Sequence, residues 1–152
     1  FAHGAKNILA LVREKSPGAK VYFYETWARP DKVYLDGASY RGEGLQAMQT
    51  DLHDSYLRVA SLSKAVGLVL VGQSFLKAIE DGVAVVSPYN EVEDGKVDLW
   101  AHDHFHASKY GSYLSACTFF AAITGEDPSA IANGDGSPAA SLGVEQEVAT
   151  RL

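Results

Sequence analysis

The chain has 152 residues, of which 47% are hydrophobic, 21% charged and 11% aromatic, a globular composition sized for one domain and unlike a disordered segment. Its 13 Lys and Arg against 19 Asp and Glu give a net charge of −6, and no basic cluster of the kind used to bind nucleic acid interrupts it. The longest apolar stretch, Val66 to Gly72, is far short of the ~20 residues a membrane-spanning helix needs, and Cys117, alone, has no partner for a disulfide within the chain.

Phe1, Ala5, Ile8, Leu9 and Val12 recur at helical spacing, so the sequence predicts a helix over 1–15, closed by Ser16-Pro17-Gly18. The far end, with Val144, Val148 and Leu152, carries a second helical stripe. Two ends lying inside amphipathic stripes lead us to expect a chain cut at both sides; a small protein that begins and ends in helices is the alternative. There is no basic n-region or apolar h-region at Phe1. The compartment stays open, secretion and the periplasm included.

Val21-Tyr22-Phe23-Tyr24 is β-branched and aromatic without polar alternation, the pattern of a strand buried on both faces. Residues 28–50 carry Gly and Pro with no clean period and read as a long surface loop. Asp51 is placed to cap a helix to about residue 65, with Leu52, Tyr56, Val59 and Leu62 inward. Gly67 to Gly72 reads as a second apolar strand and Phe75 to Glu80 as a short helix. Val83 to Val86 is either a third strand or an extended link. Ser108 caps a helix bearing Tyr110, Leu114, Cys117 and Ala121 on one face, stopped at Gly125-Glu126-Asp127-Pro128. Residues 129–143 read as loop. Apolar strands alternating with amphipathic helices predict an α/β fold, with strands 21–26 and 67–72 as parallel neighbours joined by a crossover helix. Sites in such sheets lie beyond the carboxyl ends of the strands, where Trp27 and Gln73-Ser74 fall.

The densest chemistry is Trp100-Ala101-His102-Asp103-His104-Phe105-His106-Ala107-Ser108, which holds three of the 5 histidines. Asp103 and His106 stand three apart, so one turn of chain can bring carboxylate to imidazole, fixing the tautomer of a general base. A plain alternative is a turn-capping Asp103 beside an exposed His106. A second is a metal site: His102, His104 and His106 would share one face of an extended strand.

Asp103-His104-Phe105-His106-Ala107-Ser108, continued by Tyr110-Gly111-Ser112-Tyr113-Leu114-Ser115-Ala116 and Phe119-Phe120-Ala121-Ala122-Ile123-Thr124-Gly125, resembles the last block of the SGNH (GDSL-type) hydrolases. That block reads Asp-x-x-His, then a small residue, then a helix with Gly, Leu and Ala. Pro17-Gly18-Ala19 with Val21 to Trp27, and Val69-Leu70-Val71-Gly72-Gln73, resemble the family's two late strands. The likeness spans roughly residues 1–128. It implies a three-layer, flavodoxin-like parallel sheet with helices on both faces, and esterase or lipase chemistry without a cofactor. By position, His106 would be the base and Asp103 its orienting acid.

The nucleophilic serine of that family lies in a Gly-Asp-Ser block early in the chain, and its oxyanion donors lie in two middle blocks. None is identifiable here. Gly134-Asp135-Gly136-Ser137 lacks a preceding strand and follows the histidine, in the wrong order. The expectation is therefore the C-terminal portion of a serine esterase, completed by an N-terminal segment or a second chain and acting on small-molecule esters, acetylated carbohydrates among them. Trp27 and Phe105 are candidate substrate-binding residues, each with a packing role as its alternative. His3 and His53 are expected to be solvated on helices. A non-catalytic α/β binding domain and a metal-dependent hydrolase are the competing functions.

Overall fold

The computed structural model describes residues 1–63, 65 and 67–152. Lys64 and Val66, at the expected end of the crossover helix and the expected start of the apolar run, lie outside the described residues. Helix α1 (Ala2–Lys15) buries Ala5 and Leu9 and turns Phe1, Ile8 and Leu11 outward. Strand β1 (Tyr22–Glu25) pairs parallel with β2 (Gly67–Leu70), Tyr22 opposite Gly67 and Glu25 opposite Leu70. Helix α2 (Gly44–Ser63) lies between them in sequence. The expected parallel pair with its intervening helix is therefore present, in a mixed α/β chain whose described sheet has these two strands.

Three local expectations are corrected and one open alternative is resolved. Helix α2 begins at Gly44, well before Asp51, because Leu45, Met48 and Gln49 extend its buried stripe upstream; Leu62, expected inward, is 77% exposed. Residues 28–43 remain irregular apart from a 3₁₀ turn at Pro30–Lys32. Val71-Gly72 are helical, not extended: α3 (Val71–Glu80) follows β2 with no loop, and Val71 is as buried as Val69. An apolar run fits a buried strand and a buried helix start equally well. Val83–Val86 forms only an isolated parallel bridge, Ala84 to Val97, and so is an extended link.

The third correction is the segment 129–143, which contains a 3₁₀ turn at Pro128–Ile131 and helix α5 (Pro138–Leu142), followed by α6 (Gln146–Arg151). Asp127 and Ser137 accept the backbone N–H groups of Ser129 and Ala140. In Asp127-Pro128 and Ser137-Pro138 the proline is therefore a first helical residue behind its cap, a use of proline that looks like chain-breaking in sequence.

Helix α4 (Lys109–Thr124) starts as expected on Ser108, whose hydroxyl accepts from the N–H groups of Tyr110 and Gly111 and donates to the Asp98 carbonyl at 2.6 Å. Val69, Val71, Phe75, Leu99, Trp100 and Leu114 make the centre of the main core, joining β2, α3, α4 and the link before α4. A smaller cluster of Tyr113, Cys117, Ala139, Val144 and Ala149 seats α5 and α6 on the other flank of α4.

Two close approaches fix the packing. A methyl at Gly111 would sit 2.2 Å from the Leu99 carbonyl oxygen and 2.8 Å from the Phe75 ring, so α4 can lie against the 97–100 link only without a side chain there. A methyl at Gly72 would sit 2.0 Å from Gln49 Nε2 and 2.5 Å from the Thr26 carbonyl oxygen. Gly72→Ala is expected to lose about 1–3 kcal/mol of stability through overpacking. Gly4→Ala, on α1 with nothing within 4 Å of the new methyl, should instead gain a few tenths to about 1 kcal/mol from helix propensity. Urea denaturation of both variants checks the contrast.

Candidate active site

The segment 99–108 leaves the core at Leu99 and Trp100, loops outward and returns to α4. An antiparallel bridge between Trp100 and Ala107 closes its base, with Ala101 N–H donating to the His106 carbonyl at 2.7 Å and Ser108 N–H to that of Leu99 at 2.9 Å. His104 sits at φ 55, the one described non-glycine residue in the left-handed region. That turn aims two successive N–H groups at one carboxylate oxygen: Phe105 and His106 donate to Asp103 Oδ1 at 3.0 and 2.9 Å. The other oxygen, Oδ2, lies 2.6 Å from His106 Nδ1. One carboxylate thus fixes both the backbone of the turn and the ring it carries. With the carboxylate ionised, Nδ1 bears the proton, and Nε2 is left with a free lone pair.

The ring N–H of His106 foremost, then the backbone N–H groups of His106 and Phe105, hold the Asp103 carboxyl far below the usual carboxylate range. Behind the loop, burial pushes Asp98 the other way, upward from its ordinary value, although its Oδ1 accepts the Trp100 N–H at 2.8 Å. The dyad itself faces solvent, with His106 70% and Asp103 38% exposed. A groove of about 650 Å³ between β2, α3 and α4 is lined by neither residue.

The other expected residues converge on the same loop. Trp27, just beyond β1, donates its indole N–H to the Phe105 carbonyl at 3.1 Å and stacks on Phe75 at 4.9 Å between centroids. Phe105 stands beside the His106 ring, 4.4 Å between centroids, with the Arg29 guanidinium 3.8 Å from its own centroid. Arg29 is itself paired with both oxygens of Asp31 at 2.9 and 2.7 Å. His102 is exposed, and the half-buried His104 ring rests 4.3 Å from Tyr89. The extended strand that would align His102, His104 and His106 is not formed, since these residues lie in a turn. Among the described residues no group of three or more His, Cys, Asp or Glu converges in a metal-holding arrangement. No serine hydroxyl hydrogen bonds to His106 among them either.

His53, expected to be solvated, is instead drawn to the fully buried Glu25, its Nδ1 2.7 Å from Oε2. Gln49, one turn earlier on α2, donates to Glu25 Oε1 at 2.9 Å and to the Thr26 carbonyl at 3.2 Å. This cluster is not predicted from the sequence. Its signal is Gln49 and His53 at i, i+4, invisible while α2 is taken to start at Asp51. Comparison of the chain with protein-family models, curated proteins and solved structures finds no match in any of the three.

A carboxyl depressed in the folded state contributes stability above its unfolded value, near ~3.9, and that contribution disappears as pH falls through the folded value. Solvent screening keeps the contribution of this exposed pair modest. Asp103→Asn should therefore lower the unfolding free energy at neutral pH, and the gap to the unsubstituted chain should narrow steadily as pH falls below about 4, as measured by urea titrations at a series of pH values. A difference independent of pH would mean that the Asp103 charge plays no part in holding the turn.

Proposed function

We propose that this chain supplies the acid–base half of a serine hydrolase of carboxylic esters, with His106 as general base and Asp103 as the acid that orients it. The observation that carries the reading is the 2.6 Å contact between Asp103 Oδ2 and His106 Nδ1, which leaves Nε2 open on an exposed loop. The order of parallel strand, helix, parallel strand, dyad and capped helix supports the SGNH resemblance, and with it a three-layer, flavodoxin-like sheet of which β1 and β2 are the late strands. β1 hydrogen bonds to one strand only among the described residues, which suits a further strand beside it and a nucleophile carried by an N-terminal segment or second chain.

In that assembly the serine hydroxyl gives its proton to His106 Nε2 as its oxygen bonds to the ester carbonyl carbon. The resulting imidazolium is stabilised by Asp103 and returns the proton to the departing alkoxide when the carbon–oxygen bond breaks. Water then attacks the acyl carbon while giving a proton to Nε2, and the imidazolium returns that proton to the serine oxygen as the acyl–serine bond breaks and the carboxylic acid leaves. Asp103 stays ionised throughout, because it is held far below the usual carboxylate range. Small-molecule esters are the substrate class, with acetylated carbohydrates included by the exposed aromatic Phe105 beside the base.

A second reading, an α/β binding domain without turnover, is favoured by His106 having no serine hydroxyl bonded to it among the described residues. The two separate on one assay. Residues 1–152 alone should not hydrolyse p-nitrophenyl acetate. Joined to the segment that carries the nucleophile they should do so, and His106→Ala should then lower kcat by about 10³-fold or more. Near-normal turnover in that variant would remove His106 from the mechanism, and ligand binding without turnover in the joined protein would favour the binding domain.

A further inference from the structure

We propose that Trp27 is a positioning residue for His106: its indole N–H, anchored to the end of β1, holds the Phe105 carbonyl and so sets where the imidazole stands. This rests on the reading of His106 as the base. The loop needs such a tie, since His102, Asp103, Phe105 and His106 are all exposed and the bonds described above within the loop are local to residues 99–108. Those bonds fix the shape of the turn, not its position over the sheet. The Trp27–Phe105 hydrogen bond of 3.1 Å crosses from the strand end to the residue next to His106.

The anchor on the sheet side is rigid. The Trp27 ring lies nearly parallel to Phe75, 6° between planes, and the Tyr24 ring is 6.4 Å away between centroids. The preceding peptide is gripped by Gln49, whose amide spans Glu25 Oε1 and the Thr26 carbonyl, with Gly72 packed against that amide. Arg29, on the same segment and paired with Asp31, covers the Phe105 ring from above. The stretch from Glu25 to Arg29 therefore connects a fully buried carboxylate to the face of the catalytic loop. With one ring face against Phe75 and its N–H donated to Phe105, Trp27 is occupied in holding the loop and has little left with which to bind substrate.

Trp27→Phe keeps an aromatic ring on Phe75 and removes the donor together with part of the indole surface. If that variant folds poorly, the sulfur isostere of tryptophan at position 27 removes the donor at unchanged ring size. Two readouts are expected in the protein complete with its nucleophile. Amide hydrogen exchange at Phe105 and His106 should quicken several-fold while that at Val69 and Leu114, in the core, stays unchanged. In ester hydrolysis kcat should fall about tenfold, as expected for a misplaced base, with KM within about twofold. A rise in KM at unchanged kcat would make Trp27 a substrate contact, and faster exchange throughout the core would make it a general packing residue; either overturns the proposal. Exchange is read without substrate, so unaltered exchange at Phe105 and His106 overturns the tie whatever the enzyme assay gives. Altered exchange at those two amides in a protein that hydrolyses no ester leaves the tie standing and removes the esterase reading.

Discussion

A carboxylate removed from water at the end of a strand must find donors, and much of this structure follows from how Glu25 finds them. It is fully buried, and an uncompensated buried charge costs several kcal/mol. Gln49 and His53, one turn apart on α2, answer its two oxygens, which sets the rotation of that helix over β1. The same Gln49 amide takes the Thr26 carbonyl, and α3 must enter beside it on a residue without a side chain, Gly72. Strand end, crossover helix and following helix are thereby locked around one polar knot, where the rest of the interface is apolar and by itself less particular about register.

The candidate site sits one step outward from that knot. Beyond Thr26 the chain presents Trp27 and Arg29 to a loop whose base is tied into the core at Leu99 and Trp100 and whose exit is capped by Ser108. Asp103 then does two jobs with two oxygens: Oδ1 collects backbone donors and Oδ2 collects the imidazole. A left-handed His104 is the backbone cost of this arrangement, of a kind that tends to persist where geometry serves a site. The result is an exposed imidazole held by Asp103 from within a loop that Trp27 bonds from the end of the sheet.

The sequence carries the parallel pair, the capped helix after Ser108 and the approach of Asp103 to His106, because each depends on near neighbours: apolar runs, a serine before a helical stripe, a spacing of three. What it hides depends on distant ones. Glu25 reads as the polar end of an apolar strand and is in fact its most buried residue, a fact that needs Gln49 and His53 across the fold to make sense. Val71 and Gly72 look extended because apolar runs do not distinguish a buried strand from a buried helix start. The convergence of Trp27 with Phe105 joins segments 78 residues apart, and no local pattern reports it. The helical turns after Asp127 and Ser137 were legible in principle, as cap followed by proline, yet Gly and Ser around them give the composition of a loop.

The account turns on His106 acting as a base toward a serine. The most direct measurement is the structure of the complete protein after reaction with a fluorophosphonate. The account predicts a single phosphonylated serine, carried by the segment or chain that completes the fold, with His106 Nε2 within about 3 Å of its Oγ and Nδ1 still on Asp103. A labelled serine facing another base, or ester turnover that persists with no serine labelled, would contradict it.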